Sequence, residues 1–285
     1  MLLVGVAAAL AGPWSQRTLL AQSPADLGAR EKTEIFIQHL VKVSKIDSAK
    51  YQALVLEYEV GTALAELTKE VKEGEEPAPS ANPAGFVLDG FVERALKEIH
   101  PAYANLCSLA EAGKLDEARD AARALAGSVD PYVAAHANLA LAEVEFKAAL
   151  AGSDSSQYEK VVNSCERIAQ KDRLYLVRDH RACELIALCF EKLKKPLLEF
   201  LQYAILLTDY MDVPTELENK VKARLAALRE EVGQPLGLVA NWMNEVEKLL
   251  AREVTTKDPT QKQETEIVSA LDKLIELQEA QERKT

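Results

Sequence analysis

Apolar residues recur along almost the whole chain at steps of three and four, and strict alternation over strand length is hard to find. That pattern predicts helices joined by turns. From about Ala25 to Ile46, the residues Ile35, Phe36, Leu40 and Val43 share one face. Asp47 and Ser48 suit the cap of a second helix, which carries Tyr51, Leu54, Val55 and Tyr58, then Leu64, Leu67 and Val71. Together they predict an antiparallel helical hairpin over 25–72. Residues 73–85 (EGEEPAPSANPAG) have no apolar stripe, and their prolines and acidic cluster mark a linker.

The helical pattern resumes at Phe86. Val92, Leu96, Ile99, Tyr103, Leu106 and Ala110 stay in phase across Pro101, which predicts one kinked helix. Gly113 is its expected C-cap. Asp130 suits an N-cap and Pro131 the first helical position, so a helix is predicted from Pro131 to Leu150, with Leu139, Ala142 and Phe146 on one side. Tyr158, Val161, Val162, Cys165 and Ile168 mark the next helix. Another is predicted from Leu174 to Leu193. Leu197 to Met211 is apolar on nearly all sides, as a central buried helix would be. Thr215 and Glu218 form a capping box that opens a helix to about Val232. Val239, Trp242, Met243, Val246, Leu249 and Leu250 make a further amphipathic stripe. Residues 252–262 read as a polar linker. A second capping box at Thr260 and Gln263 opens a last amphipathic helix within 263–285, carrying Ile267, Leu271, Leu274 and Ile275.

Helix pairs recur between Val92 and Met211 at a spacing of roughly 35–42 residues, which is the range of helical solenoids. The sharpest unit runs from Gly113 through Asp116-Glu117-Ala118 and Leu125 to Asp130-Pro131. It resembles the second half of a tetratricopeptide repeat, with Ala118 small where two helix backbones come close. The resemblance implies an all-α fold of antiparallel hairpins, stacked as a short α-solenoid over 86–251. Around Tyr158 and Leu197 the consensus glycines and first-helix tryptophan are absent, so the repeat is degenerate. The stretches Gly233 to Val239, Thr260 to Glu276 and Asp130 to His136 resemble a group of exported helical-repeat proteins from planctomycete bacteria. That second resemblance implies helical repeats outside the cytoplasm and carries no catalytic residues.

Composition narrows the class of task. The chain has 285 residues, with 34 Lys and Arg against 45 Asp and Glu, for a net charge of -11. An acidic surface repels phosphate backbones, which argues against general nucleic-acid binding. The start of the chain changes the picture further. Met1 to Ala11 is an uncharged apolar run, broken by Gly12-Pro13 and followed by Ala21-Gln22. This order is that of a secretory signal peptide over residues 1–22, although no Lys or Arg precedes the run. The run, about 10 residues long, is too short to span a membrane. The expectation is an exported mature chain beginning near Gln22, periplasmic or associated with the cell envelope.

The sequence carries no phosphate-binding Gly-rich loop and no HExxH, CxxC or GxSxG motif. No enzyme, metal site or cofactor is therefore expected. His180, Cys183 and Glu184 lie within one turn of a helix, and imidazole and thiolate at that spacing can share a metal. A surface His beside a buried Cys is the plainer reading. Cys165 and Cys183 fall on successive helices. A bridge between them would close a loop of about 18 residues and add roughly 3 kcal/mol, while independent buried thiols are the expected state.

In a solenoid of this type the first helix of each pair lines the concave face. That face would carry Asn138, Arg178 and Arg181, which together could hold a carboxylate or a peptide backbone; the alternative is a solvated charged face with Arg178 paired to a nearby Glu. The last helix buries its stripe either as a cap on the helices before it or against another chain. The expected protein is thus a non-enzymatic interaction scaffold of the bacterial envelope, binding a protein or peptide. The alternatives are an oligomeric structural component joined through the C-terminal helix, and an envelope metal-binding or redox protein.

Overall fold

The computed structural model describes residues 27–43, 46–72, 90–152, 154–210, 212–232 and 267–276. Every regular element among them is helical. Segment 1–22, linker 73–85, the stripe from Val239 to Leu250 and linker 252–262 lie outside the described residues.

The hairpin of α1 (Ala29–Val43) and α2 (Ser48–Lys72) leads to α3 (Phe91–Ile99) and α4 (Pro101–Glu111). The single kinked helix expected across Pro101 is therefore two helices. His100 sits in an extended conformation (φ -119°, ψ 93°) and Pro101 takes the first position of α4. The ring of a proline pushes the preceding residue out of the helical region, so the break falls where the sterics put it. At the far end of α4, Gly113 adopts φ 72°. There the Lys114 N–H donates to the Leu109 carbonyl at 3.0 Å and the Gly113 N–H to that of Ala110 at 3.3 Å, the paired bonds that close a helix around a left-handed residue.

Next come α5 (Leu115–Ala126), α6 (Pro131–Ala151) and α7 (Ser156–Lys171). The Asp130 carboxylate accepts the Tyr132 N–H at 3.0 Å, capping α6 above Pro131. The helix expected from Leu174 is shorter. A 3₁₀ turn, Arg173–Tyr175, is followed by extended Leu176, and α8 runs only from His180 to Lys192. Asp179 takes the N-cap position of α8, and its side chain accepts the His180 N–H at 3.0 Å. α9 (Pro196–Asp209) and α10 (Thr215–Val232) complete the consecutive series, and residues 267–276 form a last helical segment, α11. Between α8 and α9, Lys194 occupies a left-handed position (φ 55°) and is closed by the same pair of bonds that surrounds Gly113.

Helices that are consecutive in the chain are the ones that pack most extensively, from α4 on α5 through to α9 on α10. The short connections 112–114, 127–130 and 193–195 make those neighbours antiparallel. Three apolar clusters result. One gathers α1 to α6 around Phe36, Leu96, Leu106 and Tyr132, with Ala118 and Ala122 of α5 fully buried. The second joins α6 to α9 and includes Ile267 and Ala270 of α11. The third lies among α8, α9 and α10 around Cys183, Ile205, Leu206 and Leu228.

Helix α6 feeds two clusters. It turns Val133, Ala137 and Val144 into the first and Ala135, Leu139, Ala142 and Phe146 into the second. Helices α8 and α9 are likewise buried on two sides. In α6 alanines fill both faces and let the neighbouring helices come close, whereas α9 fills its two faces with Leu, Ile and Tyr.

Candidate functional site

Ion pairs and hydrogen bonds inside the chain absorb the polar face singled out by the sequence. The Asn138 side-chain amide donates to Asp172 Oδ2 at 2.9 Å. Arg181 donates to Glu143 at 2.8 Å and to Glu184 at 2.6 Å. Arg178 lies 3.9 Å from Glu93. The three residues therefore do not converge on one open site.

Arg178 instead borders a cavity of about 170 Å³ between α3, α4 and α6, shared with Glu93, Tyr103, Cys107, His136 and Glu143. The Tyr103 hydroxyl lies 3.5 Å from His136 Nδ1. Burial holds the His136 imidazole down at about 4, outweighing the neighbouring Glu93, so the ring is neutral near pH 7. Burial pushes the Cys107 thiol up, although Lys97 opposes it.

His180, Cys183 and Glu184 do share α8, but their partners are already taken. Glu184 is held by Arg181, and the Gln202 amide donates to Cys183 Sγ at 2.9 Å. Among the described residues no three His, Cys, Asp or Glu side chains gather as a metal cluster would require. All four cysteines are free. Cys165 belongs to the second core cluster and Cys183 to the third, so the bridge that the spacing allows is not made. Burial pushes the thiols of Cys183 and Cys189 up to about 12.

The sequence reading missed two buried charged groups. In the first, Asp179 Oδ2 accepts from Lys32 Nζ and from Arg173 Nε, each at 2.7 Å. Arg173 also bonds the Asp209 carboxylate and stacks over the Tyr210 ring at 4.0 Å. This group ties α1 to the 3₁₀ turn, α8 and the end of α9. In the second, Arg224 grips the buried Glu199 with two bonds, at 2.7 and 3.0 Å, fastening α10 to α9. The available signal was a charged residue inside an apolar run, as with Glu199 in PLLEFLQYAILL. Buried charges of this kind need a partner, but sequence does not say which.

A cleft of about 960 Å³ lies between α11 and the row α7, α8 and α9. The buried Val162, Ile186, Phe190 and Leu198 form its floor, and Val268, Ser269, Asp272, Lys273 and Glu276 line it from α11. Lys273 anchors α11 beside it, donating to Gln202 Oε1 at 2.6 Å and to Glu166 at 3.4 Å. The C-terminal helix thus docks on its own chain.

Against known proteins, no family model matches the chain, and neither a curated protein nor a solved structure matches it. Among the described residues no helix is long and apolar enough to cross a membrane.

Proposed function

We propose that the chain is an exported, non-enzymatic scaffold of the bacterial cell envelope that binds a protein or peptide partner. In this reading the consecutive antiparallel helices form a short tetratricopeptide-like solenoid. One observation carries it: each helix from α4 to α10 packs mainly on its neighbours in the chain, the arrangement from which solenoids build extended binding faces. The secretory order of residues 1–22 supports export, and the resemblance to exported repeat proteins of planctomycetes agrees with it. The cleft beside α11 supplies a concave surface of the size that ligands occupy.

Affinity capture from an envelope extract tests the binding role, with a stoichiometric protein partner as the expected result. Cell fractionation with N-terminal sequencing tests export, and a mature start near Gln22 in the envelope fraction is expected. Recovery of an uncleaved chain from the cytoplasm would overturn the localisation. The docking of α11 on its own chain, through Lys273 and Gln202, favours this reading over assembly through a free C-terminal helix.

A further inference from the structure

Helix α2 is apolar on two opposite faces. Leu54, Tyr58 and Gly61 are buried, and Leu54 and Tyr58 join the first core cluster. Ala49, Ala53, Leu56, Val60 and Ala63 are all exposed, with Leu56 at 60% and Val60 at 49%. Their spacing alternates four and three residues, as in a coiled-coil seam. At about 100° per residue the seam is centred roughly 150° away from the buried face. A helix that only edged its own chain would carry polar residues there.

The seam is patterned in size and in charge. Ala49 and Ala53 are small, whereas Leu56 and Val60 are large. Lys50 and Glu57 flank one side, Gln52 and Glu59 the other, and all four are exposed. Two copies of α2 laid antiparallel, about a twofold axis between Ala53 and Leu56, complement each other. Leu56 of each copy meets Ala53 of the other, and Val60 of each meets Ala49 of the other. Every layer then pairs a large side chain with a small one, which lets the helices close up. The same register brings Lys50 of each copy beside Glu57 of the other, and Gln52 beside Glu59. Glu57 pairs with Arg94 of its own chain through Oε1 at 2.7 Å, which leaves Oε2 for the second cation. A parallel pair would set Leu56 against Leu56 and Ala53 against Ala53, so its bulky layers would hold its small layers apart. It would also put Gln52 rather than Lys50 beside Glu57.

We propose that this face of α2 is a self-association surface, on which a second copy of the chain docks antiparallel to form a twofold dimer. From Ala49 to Val60 the contact runs about 16 Å and is one helix wide. That falls short of the roughly 1,200 Å² buried in stable complexes, so the dimer forms and dissociates with concentration. The inference is independent of the partner-binding role proposed above, because it uses neither the cleft nor α11.

Sedimentation velocity on the full-length mature chain, from sub-micromolar to near-millimolar concentration, reads the monomer–dimer equilibrium. A reversible dimer is expected. Leu56→Glu should abolish it without loss of helicity by circular dichroism, since the side chain is exposed. Ala53→Leu should weaken it at least tenfold, because the layer opposite Leu56 is then overfilled. Lys50→Glu and Glu57→Lys should each weaken it at least tenfold by facing like charges. An equimolar mixture of those two variants should dimerise again, since each then meets its opposite charge. Val129→Glu, at an exposed apolar position outside the seam, should change association less than twofold.

A chain that stays monomeric through the whole series overturns the proposal, and so does a dimer that survives Leu56→Glu. Tighter association of Ala53→Leu would show that apolar area alone drives the contact and would overturn the fitted seam. A mixture of the two charge variants that remains monomeric would overturn the antiparallel register.

Discussion

Lys273 donates its ammonium group to Gln202 Oε1 at 2.6 Å, joining positions 71 residues apart. The Gln202 amide in turn donates to Cys183 Sγ at 2.9 Å, and the ammonium lies 5.3 Å from the centre of the Phe190 ring. One side chain of α11 is thus wired to α8 and α9 together. Lys273→Met leaves the Gln202 oxygen without its donor, which should cost about 1–3 kcal/mol. Gln202→Leu takes one hydrogen bond from a buried ammonium that keeps its ion pair with Glu166, and should also cost about 1–3 kcal/mol. The double variant should lose clearly less than the sum of the two. Urea unfolding of the four chains measures this, and strict additivity would mean the contact does not form.

Asp179 holds two cations on one oxygen, Lys32 and Arg173. Lys32 is 3% exposed, and burial lowers its pKa despite Asp179. Asp179→Asn removes the compensating charge and should destabilise the fold by about 3–5 kcal/mol. Adding Lys32→Met should restore most of that loss, because no cation is then left stranded. The sign of the pH effect follows from the lowered Lys32 pKa. Between that pKa and the usual 10.5 the unfolded chain binds more protons, so this group makes stability rise with pH there. Lys32→Met should remove that rise from denaturation curves taken across alkaline pH.

His136 gives the opposite end of the pH range a marker. Its folded value is about 4 against an ordinary 6.5, because burial disfavours the imidazolium. Between those values the unfolded chain binds the proton and the folded one does not. Stability should therefore fall as pH drops from 6.5 toward 4, by up to about 3 kcal/mol from this group. His136→Gln should flatten that portion of the stability–pH curve. An unchanged slope would show that the ring is not buried neutral.

The cysteines make a kinetic prediction. Cys107 is half-buried, and Cys165, Cys183 and Cys189 are buried. A thiol reagent at neutral pH should modify one site quickly in the native protein and three slowly, at a rate limited by opening of the fold. Denatured without reductant, the chain should show four thiols. A count of two would reveal a bridge.

The helical class was legible because three- and four-residue spacing runs through the apolar positions of every described helix. Turn chemistry was legible where one residue decides it: Gly113 at a left-handed position and Asp130-Pro131 at an N-terminus. The breaks at His100 and Leu176 were not read: the apolar stripe stays in phase across Pro101, while the extended backbone of His100 and of Leu176 interrupts the helices. Nor did periodicity identify α6 as a helix buried on two faces, because alanine fits a packed contact and an exposed face equally well. The site was least legible. Asn138, Arg178 and Arg181 could be placed on helices, but Asp172, Glu93 and Glu143, which engage them, come from other parts of the fold. Pairings such as Lys32 with Asp179 or Lys273 with Gln202 depend on how distant helices meet, and no local spacing encodes that.

The binding role is tested most directly by quantitative affinity capture from an envelope extract on the full-length mature chain, against bare resin. The prediction is one protein recovered in near-stoichiometric amount. Recovery of no protein above the bare-resin level would contradict it.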